Sequence, residues 1–267
     1  MFSHPIMDNA HAKELLSDIF DDGEIVRECF EPSELCHSTR LDEWGKLKNE
    51  LMHKNRFFPQ IKINDDDRLE ELLKNLLLDS EEEIGTWYRA CIQRSESIYP
   101  IEEMNAPPKR LASLGRANPP GIPYLYLAST PDTAISEIRP HTGEFATVAD
   151  FTISQKLNIV DLRNPRRTVS PFLQKDEDEI ALLRGDIEFL VHLGNELTRP
   201  VVPHAAAIDY IPSQYICEFI KKCGYHGVIY DSSVGSGVNI ALFDPEVATP
   251  GTVNRYCVTR VSVEVEK

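Results

Sequence analysis

The chain has 267 residues, of which 42% are apolar and 27% charged, and its formal net charge is -15. That length suits one large domain, or a domain with an appendage, and can bury a sizeable core without disulfides or metals. The acidic excess runs throughout, with 18 acidic against 10 basic residues in positions 1–80 and 25 against 18 afterwards. This argues against nucleic acid or an anionic membrane as a partner, because gripping phosphates takes clustered cations.

Residues 1–82 read as a helical N-terminal part. Trp44, Leu47 and Leu51 form one helical stripe, and Leu69, Leu72, Leu73, Leu76 and Leu77 form a longer one. Asp67 followed by Glu70 signals the start of the second helix. The character changes near Gly85. From there, segments 86–92, 123–129, 145–153, 157–162, 227–233, 238–243 and 256–265 are short, rich in β-branched and aromatic residues, and bounded by turn formers.

Three helices interrupt these strands. A short one starts at Thr130, with Pro131 in its first position, and ends before Pro140. A second covers 178–198, with Ile180, Leu183, Ile187, Leu190 and Leu197 on one face. A third runs from Ser213 to Cys223, with Pro212 before it and Gly224 as its stop. Strands outnumber helices without regular alternation, which predicts an α+β fold and not a doubly wound parallel sheet.

Cysteines 29, 36, 91, 217, 223 and 257 form no C-x-x-C pair, and the histidines show no metal-ligand spacing. No apolar h-region opens the chain, and no apolar run approaches the roughly 20 residues of a spanning helix. The expectation is a reduced cytoplasmic protein with neither a metal nor a membrane contact.

The stretch 115–138, GRANPPGIPYLYLASTPDTAISEI, concentrates chemistry. Arg116 precedes a loop stiffened by Pro119, Pro120 and Pro123. Tyr124 and Tyr126 follow on one strand face, since side chains alternate with period two. Glu137 comes eleven residues after Tyr126, on a helix. A cation, aromatic rings and a carboxylate thus succeed one another on loop, strand and helix. Each also has a plain reading: packing for the tyrosines, solvation for Glu137, and a structural ion pair for Arg89.

This stretch resembles the RES domain family, named for an Arg, a Glu and a Ser. Arg116, Asn118, Pro120, Gly121, Pro123, Tyr126, Ala134 and Glu137 match its Arg, Asn-x-Pro-Gly-x-Pro, Tyr and Ala-x-x-Glu pattern. Tyr88-Arg89-Ala90 supplies an opening Tyr-Arg-Ala, and Tyr230, Ser232, Asn239, Leu242 and Phe243 match the serine segment and the strand after it. The likeness covers roughly 85–260, and the helical part with its Asn-Arg-Phe-Phe-Pro resembles the N-terminal extension of one subgroup. The doublet Ser232-Ser233 leaves open which is the family serine.

The resemblance implies a RES domain over 83–267 with an ADP-ribosyltransferase-like, β-rich catalytic core. It implies NAD⁺ as substrate, no metal, and service as a toxin with an antitoxin that covers the pocket; a homo-oligomer stays open. It assigns Arg116 to a phosphate or ribose, Tyr126 to the nicotinamide face, Glu137 to the ribose, and Ser232 to the ring end. Arg89, Tyr124, Ser233 and Asn239 are further candidates for binding NAD⁺. The residue types suit that ligand: a guanidinium forks onto phosphate oxygens, an aromatic face attracts a cationic ring, and a carboxylate steadies an oxocarbenium-like sugar. A non-catalytic module that senses NAD⁺ or holds a partner is the competing expectation.

One decoy is set aside. Arg199 and His204 have the five-residue separation of helical-bundle ribonucleases, but Pro200 and Pro203 break the helix which that geometry needs.

Overall fold

The computed structural model describes residues 9–28, 39–61, 66–78, 85–169, 177–202 and 204–262. Helices α1 (Asn9–Phe20), α2 (Arg40–His53) and α3 (Asp66–Lys74) lie in the N-terminal part. The expected stripes face inward except at one position: Trp44, Leu47 and Leu51 on α2, Leu69, Leu72 and Leu73 on α3, and Leu76 are buried, whereas Leu77 is exposed.

Helix α3 is shorter than the leucine spacing predicts. It ends at Lys74, and residues 76–78 run along a strand instead. Leu77 bridges Val160 in antiparallel sense, Asp161 N–H donates to the Leu76 carbonyl at 2.6 Å, and Leu78 N–H to the Ile159 carbonyl at 2.9 Å. Unpaired backbone groups on an outer strand offer partners that a short helix end lacks, and Leu76 and Leu78 stay buried either way.

The sheet has seven strands: β1 (Thr86–Ile92), β2 (Leu125–Ala128), β3 (Phe145–Thr152), β4 (Ile159–Asp161), β5 (Gly227–Asp231), β6 (Val238–Leu242) and β7 (Thr249–Cys257). Their order is β4-β5-β6-β2-β1-β3-β7. Only β4 and β5 pair in parallel; every other neighbouring pair is antiparallel. Helices α4 (Pro131–Glu137), α5 (Pro165–Thr168), α6 (Glu177–Thr198), α7 (Ala206–Asp209) and α8 (Ile211–Lys222) complete the α+β fold.

The last strand corrects the sequence reading. Residues 256–265 were expected to form it, but β7 runs from Thr249 to Cys257, and 263–265 lie outside the described residues. Pro250 and Gly251 read as a turn, yet an outer strand tolerates a proline, and the β3–β7 register shifts between Ala149 and Phe151, beside Pro250.

Strands β1 and β2 pair at a single position, Tyr88 opposite Ala128. The sheet is therefore two ladders, β4-β5-β6-β2 and β1-β3-β7, joined at one point. One face carries Tyr124, Val160, Val228, Tyr230, Ala241 and Phe243 against the apolar sides of α2, α3, α6 and α8. The other buries Trp87, Leu125, Leu127, Phe151, Ile229 and Ile240.

Charge pairs tie the N-terminal helices to α6. Asp186, 3% exposed, forms ion pairs with Arg40 Nε at 2.8 Å and Arg68 Nε at 3.2 Å. Cys91, Cys217, Cys223 and Cys257 stand outside any disulfide, and Cys29 and Cys36 lie outside the described residues. No described helix is long and apolar enough to cross a membrane.

Glu50 fastens the chain leaving α2. Its carboxylate accepts the N–H groups of Gln60 at 2.9 Å and Ile61 at 3.0 Å, and these two bonds hold its pKa below the usual value. A carboxyl depressed in the folded state stabilises fully above its unfolded pKa of about 4.3, and that share is lost as pH falls through the lower folded value. Denaturant titrations at descending pH should show wild type losing stability below about pH 4.3 more steeply than Glu50→Gln. Parallel declines would remove Glu50 from the acid response.

Candidate active site

The site is built where helix α4, the turn after β5 and the loop before β2 converge. Thr130 caps α4 by accepting Thr133 N–H at 3.1 Å, and Pro131 occupies its first turn. This fixes the start of a two-turn helix and so the position of Glu137 at its end. Glu137 is solvent-exposed, yet its Oε1 accepts from Ser232 Oγ at 2.7 Å and from Asn239 Nδ2 at 2.6 Å. Its other oxygen accepts no hydrogen bond from the described residues, so it remains available to a ligand hydroxyl.

Both donors are themselves placed. Asn239 is 5% exposed and sits opposite Ala128 in β2 and Tyr230 in β5. Ser232 Oγ accepts from Val234 N–H at 3.2 Å and Gly235 N–H at 3.0 Å, and its own N–H donates to the Gly237 carbonyl at 3.1 Å. The turn lies flat against the start of α4. A Cβ at Gly237 would fall 2.6 Å from Ser129 Oγ and strike Thr133 Oγ1 as well, so only glycine allows this approach.

The loop carrying Arg116 is held from three sides. Asn118, 4% exposed, shares its amide hydrogens among the carbonyls of Ser113, Pro119 and Ile122 at 2.9–3.0 Å. Tyr126 donates its hydroxyl to Asn118 Oδ1 at 2.7 Å and accepts from the N–H groups of Ala117 at 3.0 Å and Asn118 at 3.2 Å. From α8, Ser213 Oγ donates to the Arg116 carbonyl at 2.6 Å, and Gln214 Nε2 to those of Gly115 at 2.8 Å and Asn118 at 3.0 Å.

The Arg116 guanidinium then has a defined seat. Nη1 donates to the Arg199 carbonyl at 2.6 Å, Nη2 lies 3.5 Å from Ser233 Oγ, and the group stacks 5.4 Å from the Tyr210 ring centre. The serine doublet thereby spans the site. Ser232 meets the carboxylate and Ser233 meets the cation. Tyr230, 4% exposed, lies in the field of both charges: burial pushes its phenol well up, Tyr126 and Glu137 add to this, and Arg116 opposes it.

Of the expected residues, Arg116, Tyr126, Glu137, Ser232, Ser233 and Asn239 come together. Tyr126 contributes through a buried hydroxyl, whose pKa burial raises. Tyr124 shares its strand face but is 1% exposed, with its ring 4.9 Å from Phe243 and its hydroxyl on Glu218. Arg89 stands at the parting of β1 and β2, where Nη1 reaches the Tyr126 carbonyl at 3.4 Å and Nε is buried without a hydrogen-bond partner. Ser213, Gln214, Tyr210 and the Arg199 carbonyl were not foreseen. They reach the loop from more than 80 positions away, and no local pattern marks them. Helix α6 ends at Thr198, before Pro200, as the dismissal of the Arg199–His204 pair requires. No group of three His, Cys, Asp or Glu among the described residues could hold a metal.

A family model described as the RES domain matches residues 86–256. No curated protein matches the sequence. Among solved structures, the chain is similar at 12% identity to one in the M. tuberculosis MbcT-MbcA toxin-antitoxin complex, over 72% of this chain and 93% of that one, with a TM-score of 0.43.

The loop geometry makes Tyr126→Phe informative. The ring stays, while Asn118 Oδ1 loses its donor and two N–H groups lose their acceptor. The expected cost is about 1–3 kcal/mol of stability, with faster hydrogen exchange at Ala117 and Asn118. Exchange at the wild-type rate would mean that the loop holds itself.

Proposed function

The chain belongs to the RES domain family, and from that premise we propose that it is the toxin of a toxin–antitoxin pair and cleaves the nicotinamide–ribose bond of NAD⁺. The observation that carries the reading is the Glu137 carboxylate, held at Oε1 by Ser232 and Asn239 and open at its other oxygen. A carboxylate fixed before reaction stabilises developing positive charge without having to reorganise.

In this mechanism, Arg116 takes a phosphate or ribose oxygen through Nη2, since Nη1 is committed to the Arg199 carbonyl. The Tyr126 ring, its hydroxyl engaged elsewhere, offers a face to the cationic nicotinamide. Arg89, at the parting of the ladders, and Ser233, beside Arg116, are placed to add ligand contacts. Tyr124 supports the strand from the core.

Glu137 receives the ribose 2′-hydroxyl. The electrons of the C1′–N bond pass to the nicotinamide nitrogen, which becomes neutral, and the positive charge spreads over C1′ and the ring oxygen. Water, phosphate or a protein side chain then bonds C1′ and releases its proton. Such a toxin acts in the cytoplasm, where its substrate is, and its antitoxin is a protein that covers this pocket.

Purified protein mixed with NAD⁺ tests this. Free nicotinamide in excess of protein is expected, while retained, intact NAD⁺ would make the chain a sensor. Adding phosphate or lysate protein identifies the acceptor. Expression without the antitoxin should arrest growth as cellular NAD⁺ falls.

Glu137→Gln keeps the volume and removes the charge. It should lower kcat by roughly 10²-fold with little change in KM. Unchanged turnover would take Glu137 out of the mechanism.

Arg116→Lys should recover only a minor part of what Arg116→Ala loses, through a raised KM and with the chain still folded. A compact ammonium cannot hold the Arg199 carbonyl, lie over Tyr210 and meet a ligand together. Near wild-type kcat/KM in the Lys variant would leave Arg116 a general source of charge.

A further inference from the structure

Glu196 lies on α6, close to its end, and is 7% exposed. Lys48 of α2 forms an ion pair with its Oε1. Arg199 Nε stands 3.1 Å from its Oε2, paired by charge but without the alignment of a hydrogen bond. Arg199 is fixed again at Nη2, which donates to the Asp209 carbonyl at 2.9 Å. Its N–H donates to the Asn195 carbonyl at 2.8 Å, and its own carbonyl, ahead of Pro200, receives Arg116 Nη1. An unbroken run of polar contacts therefore leads from α2 through α6 to the guanidinium of the site.

The chemistry favours coupling along this run. The last carbonyls of a helix lack intrahelical donors and carry the negative end of its dipole, so one of them is a good seat for a guanidinium. A buried carboxylate is costly without its cations, which binds Lys48 and Arg199 closely to Glu196. Neutralising Glu196 removes one of the three ties on Arg199 and should loosen the carbonyl that orients Arg116. Asp186 offers an internal comparison. It is another buried carboxylate on α6, and its ion pairs run to Arg40 of α2 and Arg68 of α3.

We propose that Glu196 is a positioning residue for Arg116, and that Lys48 makes the N-terminal helix α2 part of the apparatus that receives the anionic portion of the ligand. In taking that ligand to be NAD⁺, this rests on the reading above.

Calorimetric titration of NAD⁺ into the slow Glu137→Gln chain tests it, with further changes in that background. Glu196→Gln and Lys48→Met should each weaken binding roughly 5–10-fold. Lys48→Arg should restore most of the loss. Asp186→Asn should lower the melting temperature and leave the affinity within about two-fold. With Arg116→Ala already present, Glu196→Gln should weaken binding no further. Equal weakening with and without Arg116, or the same weakening from Asp186→Asn, would overturn the proposal.

Ligand-free melting of the Glu196→Gln, Arg116→Ala and doubly changed chains gives a second, independent cycle. The two changes should be non-additive, and additivity would overturn the coupling. If the starting chain binds no NAD⁺, the ligand reading falls, and this second cycle still decides whether Glu196 acts on Arg116.

Discussion

The site turns on holding a carboxylate still while leaving it wet. An exposed Glu on a two-turn helix would ordinarily sample many rotamers, and an oxygen that wanders cannot oppose charge developing at one atom. Here two neutral donors, Ser232 and Asn239, converge on one oxygen. Neither cancels the charge, as a cation would, so the carboxylate keeps its strength. The arrangement costs conformational freedom in several places at once. It requires a glycine where the turn meets α4, a capped helix start, and a buried Asn on a central strand. Each of those features is explained by the carboxylate more readily than by packing alone.

The cation opposite is treated differently. Arg116 is steadied by a backbone carbonyl, an aromatic face and a loop whose own polar groups are almost all spoken for. Carbonyl and ring stabilise the guanidinium without neutralising it. Charges of both signs thus survive in one cluster, bridged by two adjacent serines that each meet one of them. Ser232 and Ser233 face different groups because consecutive residues in a turn point in different directions.

Local signals were readable where local chemistry determined the outcome. Thr130 and Pro131 mark the start of α4 because cap and proline act within one turn. Short β-branched and aromatic runs bounded by turn formers located β1 to β6, because each strand packs apolar side chains against helices or the opposite cluster. The failures share a cause. Residues 76–78 abandon the helix to satisfy a distant strand, and β7 tolerates Pro250 because it lies outermost. Tyr124 and Tyr126 look alike in sequence, and only their distant partners separate them: Phe243 and Glu218 take up Tyr124, while the loop at Ala117 and Asn118 engages the Tyr126 hydroxyl. The seat of Arg116 is the hardest case, since its main acceptor is a backbone atom, which has no residue type to read.

The segment 76–78 has a further bearing on how much of the chain can stand alone. The bonds of Leu76 to Asp161 and of Leu78 to Ile159 cover the β4 border of the sheet, while Pro250 interrupts β7 near one end. The family match begins at residue 86, beyond that segment. A fragment cut to the matched span would bare β4 and strip α2 and α3 from a shared apolar face, leaving both a sticky margin and a greasy surface. The recognisable unit of sequence is therefore smaller than the unit whose apolar face and β4 border are covered.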